Sequence, residues 1–319
     1  MQKERKYMRG IGVFEFGPPN VLQVFNLPEV HAGPGELRVR VHAATVNPTD
    51  LSLRNGARAE MLRLVPPPYV PGMDVAGVID EIGPGTETDL VVGMSVMAMV
   101  VPSGNHGAYR ESIVLSADSI ARSPDGFSHA EVATLPMNGL TARQSLDQLG
   151  LLSGQTIAVT GAAGAYGGYI IQIAKHEGLR VIADSSSTDE SLVRSLGADV
   201  IVPRGDDISE QVRRIVPDGV DGLADGAVLS QLAVGAVRDG GGFVSVRGWT
   251  GTGERGITFH RTSVRDYDHR SDLLDQLRQF SETSVVTLRV SGTYEPEQAS
   301  DAHQRLEARG TRGRCVIVF

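Results

Sequence analysis

Cysteine is nearly missing from this chain. Cys315 is the only one in 319 residues, so no internal disulfide can form and no multi-cysteine zinc site can be built. A reducing cytoplasm is the expected compartment. Positive charge is also in deficit. The formal net charge is −8 and no Lys/Arg-rich block occurs, which argues against a nucleic-acid binder and a polybasic arm. Long apolar runs are absent. The longest, Leu90 to Val101, is broken by Gly93 and Ser95 and is too short to span a bilayer, so no membrane association is expected. After Lys3 to Lys6 there is no apolar segment of the kind a signal peptide needs. Histidine is present at eight positions but without HExxH or paired spacing, and neither an internal repeat nor a low-complexity stretch is visible.

What is present is a globular composition of 41% hydrophobic and 21% charged residues, in a length that suits two domains. Residues 1 to 7 are polar and expected to fray, with the first strand starting near Met8. From Gly10 to about Arg122 the pattern is mostly β. Leu37 to His42 alternates apolar and polar residues, Val75 to Asp80 and Ser95 to Val100 are further strands, and Pro66-Pro-Pro68 and Gly83-Pro-Gly85 mark turns. Helical spacing begins at Ser128 and runs to Gly150. Strands at 156–160, 180–183, 200–202 and 242–246 then alternate with helices at 165–177, 189–196, 207–215 and 229–237, with a further segment at Gly222 to Gly226. That alternation predicts a parallel sheet with crossovers. Gly256 to His260 reads as the last strand of that sheet. Beyond Arg265 the chain predicts a helix at 271–280, a strand near Val286 to Gly292, a helix at 296–308 and a strand at 315–319.

The most informative string is Gly161-Ala-Ala-Gly164-Ala-Tyr-Gly167. It follows the buried run Thr156 to Thr160 and precedes the helical run Tyr169 to Lys175. A strand, a glycine turn and a helix in this order place a pyrophosphate on a helix N-terminus. Gly161, Ala163, Gly164, Ala165, Tyr166 and Gly167 are therefore candidate cofactor-binding residues. A second strand ends near Asp184, about 20 residues after Gly164, where the adenosine ribose is usually read. Because this motif sits mid-chain, another domain upstream is expected to hold the substrate.

Several strings in order resemble a known family: Asn47-Pro-Thr-Asp50-Leu-Ser-Leu-Arg54-Asn-Gly56, Val70-Pro-Gly72-Met-Asp74-Val-Ala-Gly77, Gly83-Pro-Gly85, Leu135-Pro136-Met-Asn-Gly139-Leu-Thr141-Ala142, Leu196-Gly-Ala-Asp199, Gly240 to Val246 and Gly310-Thr-Arg-Gly313-Arg314. From about Met8 to Phe319 the chain resembles the medium-chain dehydrogenase/reductase superfamily, in its zinc-independent quinone oxidoreductase branch. The resemblance implies an α/β protein: a GroES-like β-rich catalytic domain (residues 8–125, completed by 266–319) plus a doubly wound Rossmann parallel-sheet cofactor domain (126–265). It implies a cytoplasmic homodimer, with the strand at 256–260 as the pairing edge.

Zinc is argued against by residue chemistry. The zinc branch is similar in this region but carries a Cys in the segment Val46 to Asp50 and a Gly-His-Glu string where this chain has Gly72-Met73-Asp74. Met73 is a poor ligand for a water-activating zinc. Reduction of a quinone or an enone C=C needs no metal, because the conjugated carbonyl accepts the charge. The resemblance thus implies hydride transfer from a nicotinamide to a small electrophile. Asn47 and Asp50 are placed in the substrate-side loop, Thr141 against the nicotinamide, and Val246 and Arg247 offer backbone groups to the carboxamide. Ser52 stands where relatives look to have Tyr or Lys. Serine is a poor general acid, so the proton comes from water or from another residue, with Tyr69 named as one. NADP(H) is favoured over NAD(H). Ser185 and Ser186 follow Asp184, and Arg204 (with Arg314 as a weaker alternative) is a cation for the 2′-phosphate. Two other functions remain open: an enoyl-thioester reductase of a polyketide-type pathway, and a crystallin-like protein that binds the dinucleotide without turnover.

Overall fold

The computed structural model describes residues 6–319. The expectation of fraying at residues 1 to 5 lies outside the described residues, while Tyr7 already opens a strand. The chain divides into two compact units. The first comprises the chain through Met137 with Asp268–Glu282 and Leu288–Phe319, and the second comprises Asn138–Tyr267 with Thr283–Thr287.

In the first unit, β1 (Tyr7–Gly12) and β2 (Gln23–Pro28) form an antiparallel pair. Next come β3 (Glu36–Thr45), helices α1 (Pro48–Arg54) and α2 (Ala59–Leu62), strands β4 (Asp74–Ile82), β5 (Ser95–Met99), β6 (Ser112–Ser116) and β7 (Ile120–Arg122), and the single turn α3 (His129–Val132). β3 shows why the sheet forms. Leu37, Val39 and Val41 are buried on one face while Arg38 and Arg40 point away, the period of two that a pleated strand imposes. β3 pairs antiparallel with β4 and β6, and Leu37, Val39, Ile79, Val96, Ile113 and Ile317 meet in one apolar core.

α4 (Pro136–Leu149) leads into the second unit. There β8 (Thr156–Thr160), α5 (Ala165–His176), β9 (Arg180–Ser185), α6 (Glu190–Ser195), β10 (Val200–Pro203), α7 (Ile208–Ile215), β11 (Val220–Asp225), α8 (Gln231–Val234), β12 (Val237–Ser245) and β13 (Thr258–Arg261) follow. The six strands lie in the order β10-β9-β8-β11-β12-β13, and every pairing is parallel. Their near-continuous burial is what a parallel sheet covered on both faces requires. Phe243, Leu223, Ile182 and Val212 are buried together in its core. Truncating Phe243 to Ala would cost about 3–5 kcal/mol.

The chain returns to the first unit with α9 (Ser271–Glu282), β14 (Val290–Tyr294), α10 (Ala299–Glu307) and β15 (Arg314–Val318). β15 pairs with β3 and β14, so the last residues complete the sheet begun by the first hundred, in the order β14-β15-β3-β4-β5-β7.

The strand expected near Val286 to Gly292 begins only at Val290, and one helix differs more. The helix expected over 229–237 is only the single turn α8. The chain then enters β12 at Val237, five residues before the strand was expected. Asp225 accepts the N–H groups of Leu229 and Ser230 and bends the chain there, and Gly235 caps the turn. Among the described residues no helix is long and apolar enough to cross a membrane.

Candidate active site

In the second unit, the strand order reverses direction between β8 and β11. A loop leaves the carboxyl end of each, the arrangement that receives a ligand in open α/β sheets. After Thr160 the chain turns at Gly161, whose φ is +67°; a Cβ there would meet the amide nitrogen of Ala227 at 2.9 Å. Gly164 is the N-cap of α5. A Cβ at Gly167 would sit 2.5 Å from the Gly161 carbonyl oxygen, so only glycine lets helix and turn approach this closely. A Cβ at Gly164 would meet the Gly161 carbonyl oxygen at 3.1 Å and nothing else within 4 Å, so its other side is open. The first-turn N–H groups of α5, including those of Ala165 and Tyr166, have no carbonyl partner within the helix, the arrangement that suits an anion. Tyr166 contributes only backbone here. Its ring is buried and its hydroxyl donates to Ser145 Oγ at 2.9 Å, whose own hydroxyl donates to the Thr141 carbonyl at 2.8 Å. Thr141 is itself nearly buried, on α4.

Asp184 has an internal task. One carboxylate oxygen accepts the Ala162 N–H at 2.9 Å, tying β9 to the glycine turn. The other is buried without a hydrogen-bond partner and lies 3.7 Å from Nε of Arg204. The Arg204 N–H donates to the Ser185 carbonyl at 2.8 Å, and the Ser185 hydroxyl donates to the Ser186 carbonyl at 2.8 Å. Arg204, Ser185 and Ser186 thus stand together at the carboxyl ends of β9 and β10, with the Arg204 side chain 44% exposed. An exposed guanidinium and an open glycine turn fit a phosphorylated dinucleotide, while the Asp184 oxygen without a hydrogen-bond partner suits a ribose hydroxyl and would repel a 2′-phosphate.

Thr160 and Asp225 hold the facing loop. Thr160 Oγ1 donates to Asp225 Oδ1 at 2.6 Å, and the Val246 N–H reaches the Asp225 carbonyl at 3.4 Å. Val246 is half-buried and Arg247 exposed just past β12. The Ser245 hydroxyl beside them is buried without a partner. Ser245 was not read from the sequence, where it looks like any strand-end serine.

In the first unit, Asn47 and Asp50 are fully buried and join a polar cluster. Asn47 caps α1 with Pro48 at the first helical position. Its N–H donates to Asp50 Oδ2 at 2.8 Å, one half of a capping box. Asp50 Oδ1 accepts the Gly72 N–H at 2.9 Å. The Asn47 side chain donates to Asp74 Oδ2 at 2.6 Å, and Asp74 Oδ1 accepts the Met137 N–H at 2.6 Å. Burial pushes the Asp50 carboxyl up to about 7, against the N–H groups of Gly72 and Asn47 that favour its charge. Burial likewise pushes Asp74 up to about 6, opposed by the Met137 N–H, Asn47 and the Arg314 charge. The Arg314 charge, on β15, therefore belongs to this cluster.

Tyr109 and His303 extend the cluster. The Tyr109 hydroxyl lies 3.5 Å from Asp50 Oδ2 and 3.2 Å from His303 Nε2. Beside them Arg54, only 2% exposed, pairs with Glu307 on α10. Tyr109 and His303 carried no signal of their own in the sequence, because their partners lie far along the chain, and Arg54 and Asp74 were visible only inside the family-like strings.

The remaining hydroxyls are tied elsewhere. Ser52 donates to the Pro48 carbonyl at 3.0 Å. Tyr69 donates to the Val65 carbonyl at 2.8 Å and stacks on Phe16, so its proton is already committed. Thr49, which the sequence reading passed over, donates to the Met73 thioether at 3.0 Å. Among the described residues no group of three or more His, Cys, Asp or Glu lies together as a metal site would need.

Comparison with known proteins gives two matching families. Residues 33–125 match the alcohol dehydrogenase GroES-like domain, and residues 196–317 match the zinc-binding dehydrogenase family. An NADPH-dependent alkenal/one oxidoreductase of Arabidopsis thaliana is 29% identical over 98% of this chain and 80% of its own. The quinone oxidoreductase of Mus musculus is 28% identical over the full length of both chains. A mycobacterial protein solved in complex with NADPH superposes with a TM-score of 0.85 at 27% identity, covering 98% of this chain and all of that one.

Proposed function

Because the chain belongs to the medium-chain dehydrogenase/reductase superfamily, in its quinone oxidoreductase-like branch, we propose that it is an NADPH-dependent reductase of quinones or of enone C=C bonds. The observation that carries the cofactor half of this reading is Arg204. Its guanidinium stands partly exposed beside Ser185 and Ser186, at the end of the second strand of a glycine-turn dinucleotide fold. When bound, NADPH supplies the hydride. The α5 N-terminus and the glycine turn hold its pyrophosphate, Arg204 holds its 2′-phosphate, and Val246 and Arg247 offer backbone groups to its carboxamide. A planar guanidinium suits a phosphate as a paired donor, which favours NADPH over NADH.

The first unit supplies the substrate-side groups. Its donor chemistry supports a reaction without zinc: Met73 offers a thioether already accepting from Thr49, and Asn47 offers an amide already given to Asp74. Asn47, Asp50 and Asp74 act as a buried frame that fixes the start of α1. Because Ser52 and Tyr69 give their protons to backbone carbonyls, the proton that completes the product comes from water. The outer edge of β13, unpaired among the described residues, supports assembly as a homodimer. A panel of quinones, enones and enoyl thioesters, followed at the reduced-nicotinamide absorbance with NADPH and with NADH, tests the reading. Oxidation of NADPH by quinones or enones is expected, with NADH weaker. No turnover with any of them sinks it.

A further inference from the structure

The dipeptide Asn-Gly occurs twice in this chain, as Asn55-Gly56 and as Asn138-Gly139. In such a pair the backbone nitrogen that follows the asparagine can attack the side-chain carboxamide, because glycine carries no Cβ to shield that nitrogen. The fold treats the two pairs oppositely. Asn138 is 2% exposed and lies with Gly139, also buried, in the first turn of α4. Asn55 is exposed and stands at the C-cap of α1 with φ −83° and ψ 0°, and Gly56 follows at φ +83°. Two contacts prepare Asn55. Its Oδ1 accepts the Ala57 N–H at 3.0 Å, which draws electrons from the carboxamide carbon and would stabilise an oxyanion formed there. The Gly56 N–H donates to the Leu53 carbonyl at 3.3 Å, a long bond at the end of a seven-residue helix. Rotation about ψ of Asn55 brings the Gly56 nitrogen toward the carboxamide carbon. It breaks that long bond and leaves the Asn55 N–H on the Leu51 carbonyl at 2.9 Å. Helix ends open in this way at small cost, whereas a buried first turn does not.

We propose that Asn55-Gly56 is a site of spontaneous deamidation, which converts Asn55 to aspartate and isoaspartate at the end of α1, and that Asn138-Gly139 is inert in the folded protein. The inference does not depend on the reductase reading above. The atoms balance with water as the only co-reactant. The Gly56 nitrogen forms a bond to Asn55 Cγ and gives up its proton. The bond from Cγ to the side-chain nitrogen breaks, and ammonia leaves. The cyclic succinimide that remains takes up water at either of its carbonyls. Opening at Cγ gives aspartate. Opening at the main-chain carbonyl gives isoaspartate, in which the backbone runs through Cγ. Nothing is oxidised or reduced. Both products place a carboxylate at the C-terminus of α1, the end where the helix dipole disfavours negative charge. The neighbouring Arg54 is no ready counter-ion, because it is buried and paired with Glu307. The isoaspartate also lengthens the backbone by a methylene at a turn that is already tight. A Cβ on Gly56 would meet the Phe16 Cβ at 3.0 Å.

The experiment incubates the full chain in mildly alkaline buffer at body temperature and follows both asparagines by peptide mass spectrometry, with aspartate and isoaspartate peptides separated by their retention. The same protein in urea is the reference in which neither pair is folded. In the native protein Asn55 is expected to convert roughly tenfold or more faster than Asn138, which must wait for α4 to open. In urea the two asparagines should convert at similar rates. Asn55→Gln, whose longer side chain closes a less favourable ring, should stop conversion at that position and leave the rate at Asn138 unchanged. Asn55→Asp carries the new charge without the longer backbone. Its urea midpoint should fall below that of wild type, and the isoaspartate form, purified by ion exchange, should fall further. A native Asn55 that stays intact while it converts in urea, or native rates that are equal at Asn55 and Asn138, would overturn the proposal.

Discussion

The Tyr109 hydroxyl lies 3.2 Å from Nε2 of His303, with the two rings edge to face at 78°, and the same hydroxyl reaches Asp50 Oδ2. Burial drives the two outer members in opposite senses. It pushes Asp50 up to about 7 and, with the Arg54 charge, pushes His303 down to about 3. In the native state near pH 5 the proton therefore sits on Asp50 and His303 is neutral. In the unfolded chain at that pH the histidine holds the proton and the aspartate is ionised. Each state carries one proton on this pair, so the pair contributes almost no pH dependence to stability between about pH 4 and 6.5.

Single substitutions should uncover the two hidden slopes. With Asp50→Asn, only the depressed histidine remains. Its contribution is present above the unfolded histidine value and lost as pH falls toward 3, so D50N should gain stability relative to wild type as pH rises from 4 to 6.5. With His303→Gln, the raised carboxyl remains. Its contribution is full below the unfolded aspartate value and is lost as pH rises toward 7, so H303Q should lose stability over the same range. Each slope should approach ~1.4 kcal/mol per pH unit for the one uncompensated proton. Asp74, Arg314, Arg54 and Glu307 face the same cluster and stay in both variants. Urea midpoints at four or five pH values check this. Parallel curves for all three proteins would disprove it.

Arg204 sets cofactor preference. Replacing it with Ala removes the exposed cation beside Ser185 and the ion partner of Asp184 Oδ2, while the Ala162 N–H bond to Asp184 Oδ1 that holds the glycine turn stays in place. Losing a charged hydrogen bond to phosphate costs about 1.5–3 kcal/mol, which is roughly ten- to hundredfold in NADPH affinity. NADH affinity should hardly change. Calorimetry with both dinucleotides distinguishes this from a general loss of fold, which would weaken both.

Gly167→Ala should damage the cofactor site through packing alone. The added methyl would stand 2.5 Å from the Gly161 carbonyl oxygen and 2.8 Å from the Ala162 Cα, both backbone, so helix and turn must separate. The Ala162 N–H would then leave Asp184 and orphan a second carboxylate oxygen. A loss of about 1–3 kcal/mol in stability is expected, together with at least tenfold weaker binding of both NADPH and NADH. Full retention of dinucleotide affinity would show that the turn is not the phosphate cradle.

The parallel sheet was legible because each of its strands is a short buried run between turn signals, and such runs need no distant partner to be recognised. The glycine turn was legible for the same reason: strand, turn and helix are contiguous in sequence. The polar frame of the first unit was only half legible. Asn47 and Asp50 announce themselves three residues apart, but Asp74 and Tyr109 reach them across 27 and 59 residues, and His303 reaches Tyr109 across 194. His303 sits in a helix that reads as an ordinary amphipathic surface segment, and nothing local marks it as fully buried. The helix expected over 229–237 failed for a related reason. Local spacing favoured it, while the Asp225 carboxylate, set by the sheet, claims two N–H groups at its start.

The loop after Asp225 stores strain that this carboxylate maintains. Val228 and Ser230 both take positive φ, 60° and 54°, where side chains are disfavoured and glycine is at home. Asp225 holds them there: Oδ1 accepts from Thr160 and from the Leu229 N–H, and Oδ2 accepts the Ser230 N–H at 2.8 Å. Two variants separate the strain from the clamp. Ser230→Gly keeps every hydrogen bond and relieves the backbone, so it should raise stability by roughly 0.5–1 kcal/mol. Asp225→Ala leaves the buried Thr160 hydroxyl and two N–H groups unpaired and should cost on the order of 3 kcal/mol. In the double variant the glycine no longer has a conformation to relax, because the loop has already let go, and its gain should disappear. Thermal unfolding of the four proteins gives the coupling directly. If the glycine gain is the same with and without Asp225, the carboxylate does not hold the strained loop.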